Sequence, residues 1–278
     1  MRRLTFMVTC FCSVSLTIAQ IQPVVTGNQG DGSIDWSQKV ILATGIGAPN
    51  PSLPQTAQRP AAIRAAQQIA LRNALETIKG IYLNSSTTVK NFMVENDAIS
   101  TSVNGFLQGF QQEGRTKYMD DGTVEVTMKV PLDGIGGLSE KLLSNSISEK
   151  PPITQFEGKK AETPVIFTGL IIDCKGLAVK PALSPRILDE TGIEVYGSAY
   201  VSREWAIKNG VVGYSKDITA ALKLVDRIGK TPGKVKAVKA FGDNSTDVVI
   251  SNADAESIRS AASNLKFLSE CRVLFIID

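Results

Sequence analysis

The stretch AAIRAAQQIALRNALETIKGI, residues 61–81, decides the fold class. Ile63, Ala66, Ala70, Ala74, Ile78 and Ile81 recur at spacings of three and four, the period of one helical face, and leave Arg64, Gln68, Arg72 and Lys79 for solvent. A stripe so rich in alanine carries little side chain, so the helix axis can lie close against a sheet. Pro60 stands where the first turn of a helix tolerates proline. Upstream, Lys39–Ile46 is short, β-branched and closed by Gly45 and Gly47, which predicts a strand; Pro49, Pro51 and Pro54 mark the loop between the two.

Downstream, Ala98, Ser102, Val103, Phe106 and Leu107 predict a second helix that stops near Gly109. Val124, Val126, Met128 and Val130 then alternate with Thr123, Glu125, Thr127 and Lys129, the period of a strand buried on one face. Phe110–Tyr118 precedes it across Met119-Asp120-Asp121-Gly122, a hairpin signal. With a closing helix around Leu138–Leu143, residues 36–145 read as one small domain. Residues 146–163 hold Pro151, Pro152, Gly158 and paired lysines without periodicity and read as a linker.

Residues 164–278 read as a second domain. Val165–Ile172 is almost wholly apolar, as in a strand buried on both faces, and Val273–Ile277 closes the chain in the same way. Asp189-Glu190-Thr191-Gly192 and Gly242-Asp243-Asn244 each separate two strand-like runs and predict hairpins. Helices are expected at Ser202–Lys208 and Asp217–Leu224, and behind Asn252 and Asp254, carrying Ile258, Ala261, Ala262 and Leu265. The expected class is therefore mixed α/β (α+β), with two small domains, each a mostly antiparallel sheet packed with helices.

The N-terminus has its own pattern. Arg2 and Arg3 precede an apolar run, Leu4–Ile18, that ends in Thr17-Ile18-Ala19, the layout of a secretory signal cleaved after Ala19. Residues 20–35, with Pro23, Gly27, Gly30 and Gly32, read as a flexible leader, and the mature chain is expected in the periplasm or outside the cell. The run falls short of the roughly 20 apolar residues that span a bilayer, and no later segment reaches that length. Cys10 and Cys12 lie inside the apolar run, where they do not make a lipid-attachment site. Cleavage removes two of the 30 basic residues and none of the 27 acidic ones, so the mature chain is close to neutral. That balance argues against nucleic acid as a partner.

The chain has no histidine. The commonest general base, the usual orienter of a nucleophile and the commonest nitrogen ligand of zinc are thereby missing. Gly45-Ile46-Gly47 lacks the third glycine of a dinucleotide turn, and no helix starts directly behind it, so no cofactor is expected. Among the acids, Asp173 at the end of a buried strand and Arg186 after it would wall a ligand cleft; Asp189 and Glu190 read as turn residues. Cys174 ends one apolar strand and Cys271 starts the other. If those strands are antiparallel neighbours the sulfurs share one end of the sheet and a disulfide is open to them; if parallel, they lie at opposite ends as separate buried thiols.

Residues 39–130 resemble the lipoprotein-20 domain of bacterial envelope proteins. The likeness rests on Ala43-Thr44-Gly45-Ile46-Gly47-Ala48-Pro49, on the alanine-rich helix Ala61–Leu75 and on the hairpin Gly109–Val130 running into Pro131-Leu132. Related domains occur in outer-membrane lipoproteins and in the N-terminal part of flagellar assembly protein T, where they build or stabilise rings around the motor. Thr168–Asp173, Lys180-Pro181-Ala182-Leu183 and Ile187-Leu188-Asp189 are similar to a companion region of uncharacterised exported proteins, which implies no activity. The resemblance implies a non-enzymatic scaffold or assembly factor of the envelope, partnered by envelope or flagellar proteins and by further copies of itself. The alternative is a periplasmic small-ligand or cell-wall binding protein with its cleft near Asp173 and Arg186.

Overall fold

A computed structural model of the chain describes residues 22–28, 31–110, 112–144, 147, 166–260 and 262–278. The expected signal peptide and nearly all of the expected linker lie outside the described residues. The first half contains β1 (Val25–Asn28), β2 (Gly32–Asp35), β3 (Val40–Gly47), α1 (Gln55–Lys79), α2 (Val89–Glu95), α3 (Asp97–Gln108), β4 (Gln112–Tyr118), β5 (Val124–Pro131) and α4 (Leu138–Leu143). The second contains β6 (Leu170–Asp173), β7 (Ile187–Leu188), β8 (Glu194–Tyr196), α5 (Arg203–Asn209), β9 (Gly213–Ser215), α6 (Ile218–Leu222) and α7 (Val225–Ile228). It ends with β10 (Gly233–Lys236), β11 (Lys239–Phe241), β12 (Asp247–Val249), α8 (Asn252–Arg259), α9 (Ala262–Ser269) and β13 (Val273–Ile276).

In the first half the strands run antiparallel in the order β1-β2-β3-β5-β4. The alanine stripe does what its composition predicts. Ala62, Ala66, Ala70, Ala74 and Ile78 are fully buried on α1, above β3 and β5. A side-chain carbon on Gly45 would stand 2.1 Å from the carbonyl oxygen of Ala66, and one on Gly47 2.0 Å from that of Ala62. The helix backbone therefore rests on the strand backbone, and Gly-Ile-Gly is a packing seam. The alternation in β5 also holds, with Val124, Val126, Met128 and Val130 buried.

Three expectations for this half change. Helix α1 begins at Gln55, behind Pro54, so that Pro60 lies inside it. Its ring forfeits the bond to the carbonyl of Thr56, but Thr56 is exposed and water can replace that donor. The leader also folds: β1 and β2 form a hairpin at the sheet edge, burying Val24, Ile34 and Trp36. Gly32 is there for space, since a side-chain carbon on it would meet the Thr77 hydroxyl at 2.0 Å. Helix α2 has no clear apolar period and is capped by Thr88, whose hydroxyl accepts from the Asn91 amide at 3.3 Å.

The second half is mixed α/β as expected, but its central sheet is not antiparallel. Strands β10-β6-β13-β9 are all parallel, and only the outer pairs of the second sheet, β11-β12-β7-β8, are antiparallel. The reason lies in the two apolar strands. Ile171, Leu274 and Ile276 pack under Ala221 of α6 and Ile228 of α7, while Leu170, Ile172, Val273 and Phe275 face the main core. Strands covered on both faces are those that parallel crossovers produce. The hairpins at Asp189–Gly192 and Gly242–Asn244 form as read. The strand-like run before Gly242 divides between β10 and β11, which lie in different sheets. The expected C-terminal helix is two, α8 and α9, and its cap is Ser251, whose hydroxyl accepts from the Asp254 amide at 3.1 Å.

One continuous core joins the halves, running from Trp36 and Leu132 to Tyr214 and Phe275. The rings of Trp36 and Tyr214 meet edge to face at 5.5 Å, and those of Tyr214 and Phe275 at 6.1 Å. No helix of the described residues is long and apolar enough to cross a membrane.

Candidate functional site

Asp173 and Arg186, the residues of the expected cleft, stand at strands of different sheets. Asp173 ends β6 in the parallel sheet, where its carboxylate accepts from the Lys175 amide at 3.2 Å. Arg186 leads into β7 of the other sheet and is committed elsewhere. Its Nε and Nη2 donate to Oδ2 of Asp247 at 2.9 and 2.8 Å, and its amide donates to Oδ1 at 2.9 Å. The Asp247 side chain is 0 % exposed, so the guanidinium balances a buried charge. Nη2 also donates to Ser85 Oγ at 3.2 Å, which ties this pair to the first half. Burial holds the nearby Glu194 carboxyl above its ordinary range; Arg186 pulls against the shift and Asp247 adds to it.

Cys174 and Cys271 are both buried and free, so the disulfide does not form. Strands β6 and β13 are parallel, with Asp173 opposite Ile276, which sets Cys174 opposite Ile277, six positions from Cys271. Six strand residues span roughly 20 Å, far beyond the reach of a bridge. Burial pushes the Cys271 thiol up to about 11 and raises that of Cys174 still further. Labelling of the denatured, non-reduced chain from residue 20 onward should find two reactive thiols; finding none would mean a different strand arrangement.

Sequence reasoning missed the seam between the halves. Lys39 turns the chain between β2 and β3 at φ 60°, a left-handed conformation uncommon for a side-chain-bearing residue. It reaches across to the end of α5, where its Nζ donates to the Asn209 carbonyl at 2.5 Å and stands 3.5 Å from Asp133. Burial lowers the Lys39 ammonium from its ordinary range, against the pull of Asp133. Ser139 Oγ donates to the other Asp133 oxygen at 2.5 Å. Arg227 approaches the same helix end: Nη1 donates to the carbonyl of Asn209 at 2.5 Å, Nη2 to those of Gly210 and Val211 at 3.2 Å, and Nε to that of Val273 at 3.1 Å. Two cations thus converge on carbonyls at a helix C-terminus, the end that favours positive charge.

Beside this knot a cavity of about 520 Å³ opens on the seam. The β1–β2 hairpin supplies Ile34 and Trp36, the end of α1 supplies Asn73 and Glu76, and the second half supplies Lys180. Lys180 Nζ lies 5.5 Å from the ring centre of Tyr82, which also lines the cavity. Trp36 Nε1 donates to Thr26 Oγ1 at 2.8 Å, which fixes the indole in the wall. A tryptophan in an otherwise polar stretch was the available signal for this site. Among the described residues, no group of three or more Cys, Asp or Glu side chains is placed to hold a metal ion.

These elements set the ground for comparison with known proteins. Residues 169–278 match the family described as Treponema pallidum Tp0624, second domain. No curated protein matches the chain. The Tp0624-like span begins at the residue before β6 and takes in both sheets of the second half, with Lys180, Arg186, Arg227 and Asp247. Lys39, Asp133, Trp36 and Tyr82 lie outside it, so the Lys39–Asn209 bond and the cavity each pair the Tp0624-like span with residues of the first half.

Proposed function

We propose that this chain is an exported, non-enzymatic component of a bacterial envelope, a scaffold or assembly factor that works through protein contacts, with the flagellum as one setting. Its first half is the lipoprotein-20-like part of that reading, and further copies of the chain are among its partners. The observation that carries the proposal is the inverted face of α6 and α7. Ala220, Ala221 and Ile228 point inward, while Ile218, Leu222, Leu224 and Val225 are 38, 39, 45 and 43 % exposed. Large aliphatic groups left to water over eight residues, with small ones beneath them, suit a surface that a partner covers. The similarity of this span to a bacterial protein supports the reading. The ligand-binding alternative moves from Asp173 and Arg186 to the cavity on the seam.

A photo-crosslinking residue at Leu222 is expected to give a discrete product in the envelope fraction that disappears in a Leu224→Glu background. The same residue at Val94, 78 % exposed, serves as the control. Equal products from both positions would remove α6 and α7 as the contact face. N-terminal sequencing of the exported form is expected to begin at Gln20, whereas Met1 retained on cytosolic protein would remove the export part.

A further inference from the structure

The cavity on the seam has mixed walls. Tyr82, half-buried, gives it aromatic surface, with Ile34 and Trp36, each 5 % exposed, in the wall behind, and its polar lining carries both signs of charge, Asp31 and Glu76 from the first half and Lys180 from the second. Its volume of about 520 Å³ falls within the range of small-molecule sites, about 300–1,000 Å³. The C-terminal end of α1 reaches the cavity at Gly80, whose amide donates to the Glu76 and Thr77 carbonyls at 3.2 Å, and that end of a helix carries partial negative charge.

This lining discriminates between ligand classes. An anion would meet Asp31, the helix C-terminus and Glu76, whose Oε1 accepts from Lys79 at 2.8 Å; a cation would meet Lys180. A wholly apolar ligand would strip water from all of these groups and return no hydrogen bond. A neutral ring bearing several hydroxyls answers each part of the wall. Its hydroxyls donate to the carboxylates and accept from the ammonium, and its C–H face packs on the aromatic surface.

We infer that the seam cavity is a binding site for a neutral carbohydrate, a short oligosaccharide held between the β1–β2 hairpin, the end of α1 and Lys180. Because Lys180 comes from the second half and the other groups named from the first, occupancy joins the halves and raises the stability of the fold by mass action. The cavity is lined by none of the exposed residues of α6 and α7, so the site stands independently of the scaffold reading.

Trp36 gives the experiment its signal, because the chain has two tryptophans and Trp205→Phe leaves Trp36 alone. The mature Trp205→Phe chain, titrated with N-acetylglucosamine tetramer and separately with maltotetraose, is expected to show a saturable change in indole emission with at least one of them. Tyr82→Ala and Lys180→Met are each expected to weaken that binding at least tenfold while leaving the thermal midpoint of the free protein within a few degrees. Calorimetry repeats the titration with the unmodified chain, so that a silent indole is not mistaken for an empty site. No saturable heat or emission with either sugar at millimolar concentration overturns the proposal. Undiminished binding in both variants also overturns it, as does binding confined to a sulfated oligosaccharide, which would mark an anion site at Lys180.

Discussion

Gly45→Ala is expected to destabilise the fold by more than about 3 kcal/mol, because the added carbon cannot be absorbed by a side-chain movement. It would stand 2.1 Å from the Ala66 carbonyl oxygen and 2.3 Å from the Ala70 amide nitrogen, both backbone atoms of α1. Relief requires the helix to rise off β3, and the fully buried alanines of its stripe would lose contact along their whole length. Gly105→Ala supplies the contrast. Gly105 lies in α3, and a side-chain carbon there would meet nothing within 4 Å, so that change should stabilise by about 0.5–1 kcal/mol through helix propensity alone. Urea denaturation of the two variants measures both effects. Near-equal midpoints for Gly45→Ala and the parent chain would show that α1 does not rest on the strand.

What could be read in advance followed the range over which the chain interacts. The alanine stripe of α1, the alternation of β5 and the acidic and glycine turns are local patterns, and each appears where its spacing places it. The parallel direction of β6 and β13 has no local mark, because an apolar run of four residues reads the same in either direction. The leader was misread for a related reason: its glycines signal freedom in isolation, but at Gly32 the missing side chain makes room for Thr77, far along the chain. The candidate site was almost wholly hidden. Lys39 bonds to a carbonyl 170 residues away, Arg186 to an aspartate 61 residues away, and neither lysine nor arginine announces by its type that it will be half-buried. Asp173 and Arg186 looked paired because they are near in sequence, yet they belong to different sheets.

Arg227→Met is expected to cost about 3–5 kcal/mol, the loss of at least two charge-assisted hydrogen bonds at about 1.5–3 kcal/mol each, and the form of the loss tests whether Arg227 and Lys39 act together. Methionine keeps the aliphatic packing of the side chain but removes every donor to the carbonyls of Asn209, Gly210, Val211 and Val273. Those acceptors sit at the end of α5 and the start of β13, where the helix has no donors of its own to offer them. Lys39→Met should cost a similar amount, about 3–5 kcal/mol, because it also leaves the Asp133 carboxylate, 8 % exposed, without its cation. The two changes meet at one atom, the Asn209 oxygen, which accepts from both cations at 2.5 Å. Either single variant leaves that oxygen one charged partner; the double variant leaves it none. The double variant should therefore fall below the sum of the singles by about 0.5–3 kcal/mol, the span found for groups that share a partner. A double-mutant cycle by chemical denaturation reads this directly. Simple additivity would mean that Lys39 and Arg227 act as separate anchors.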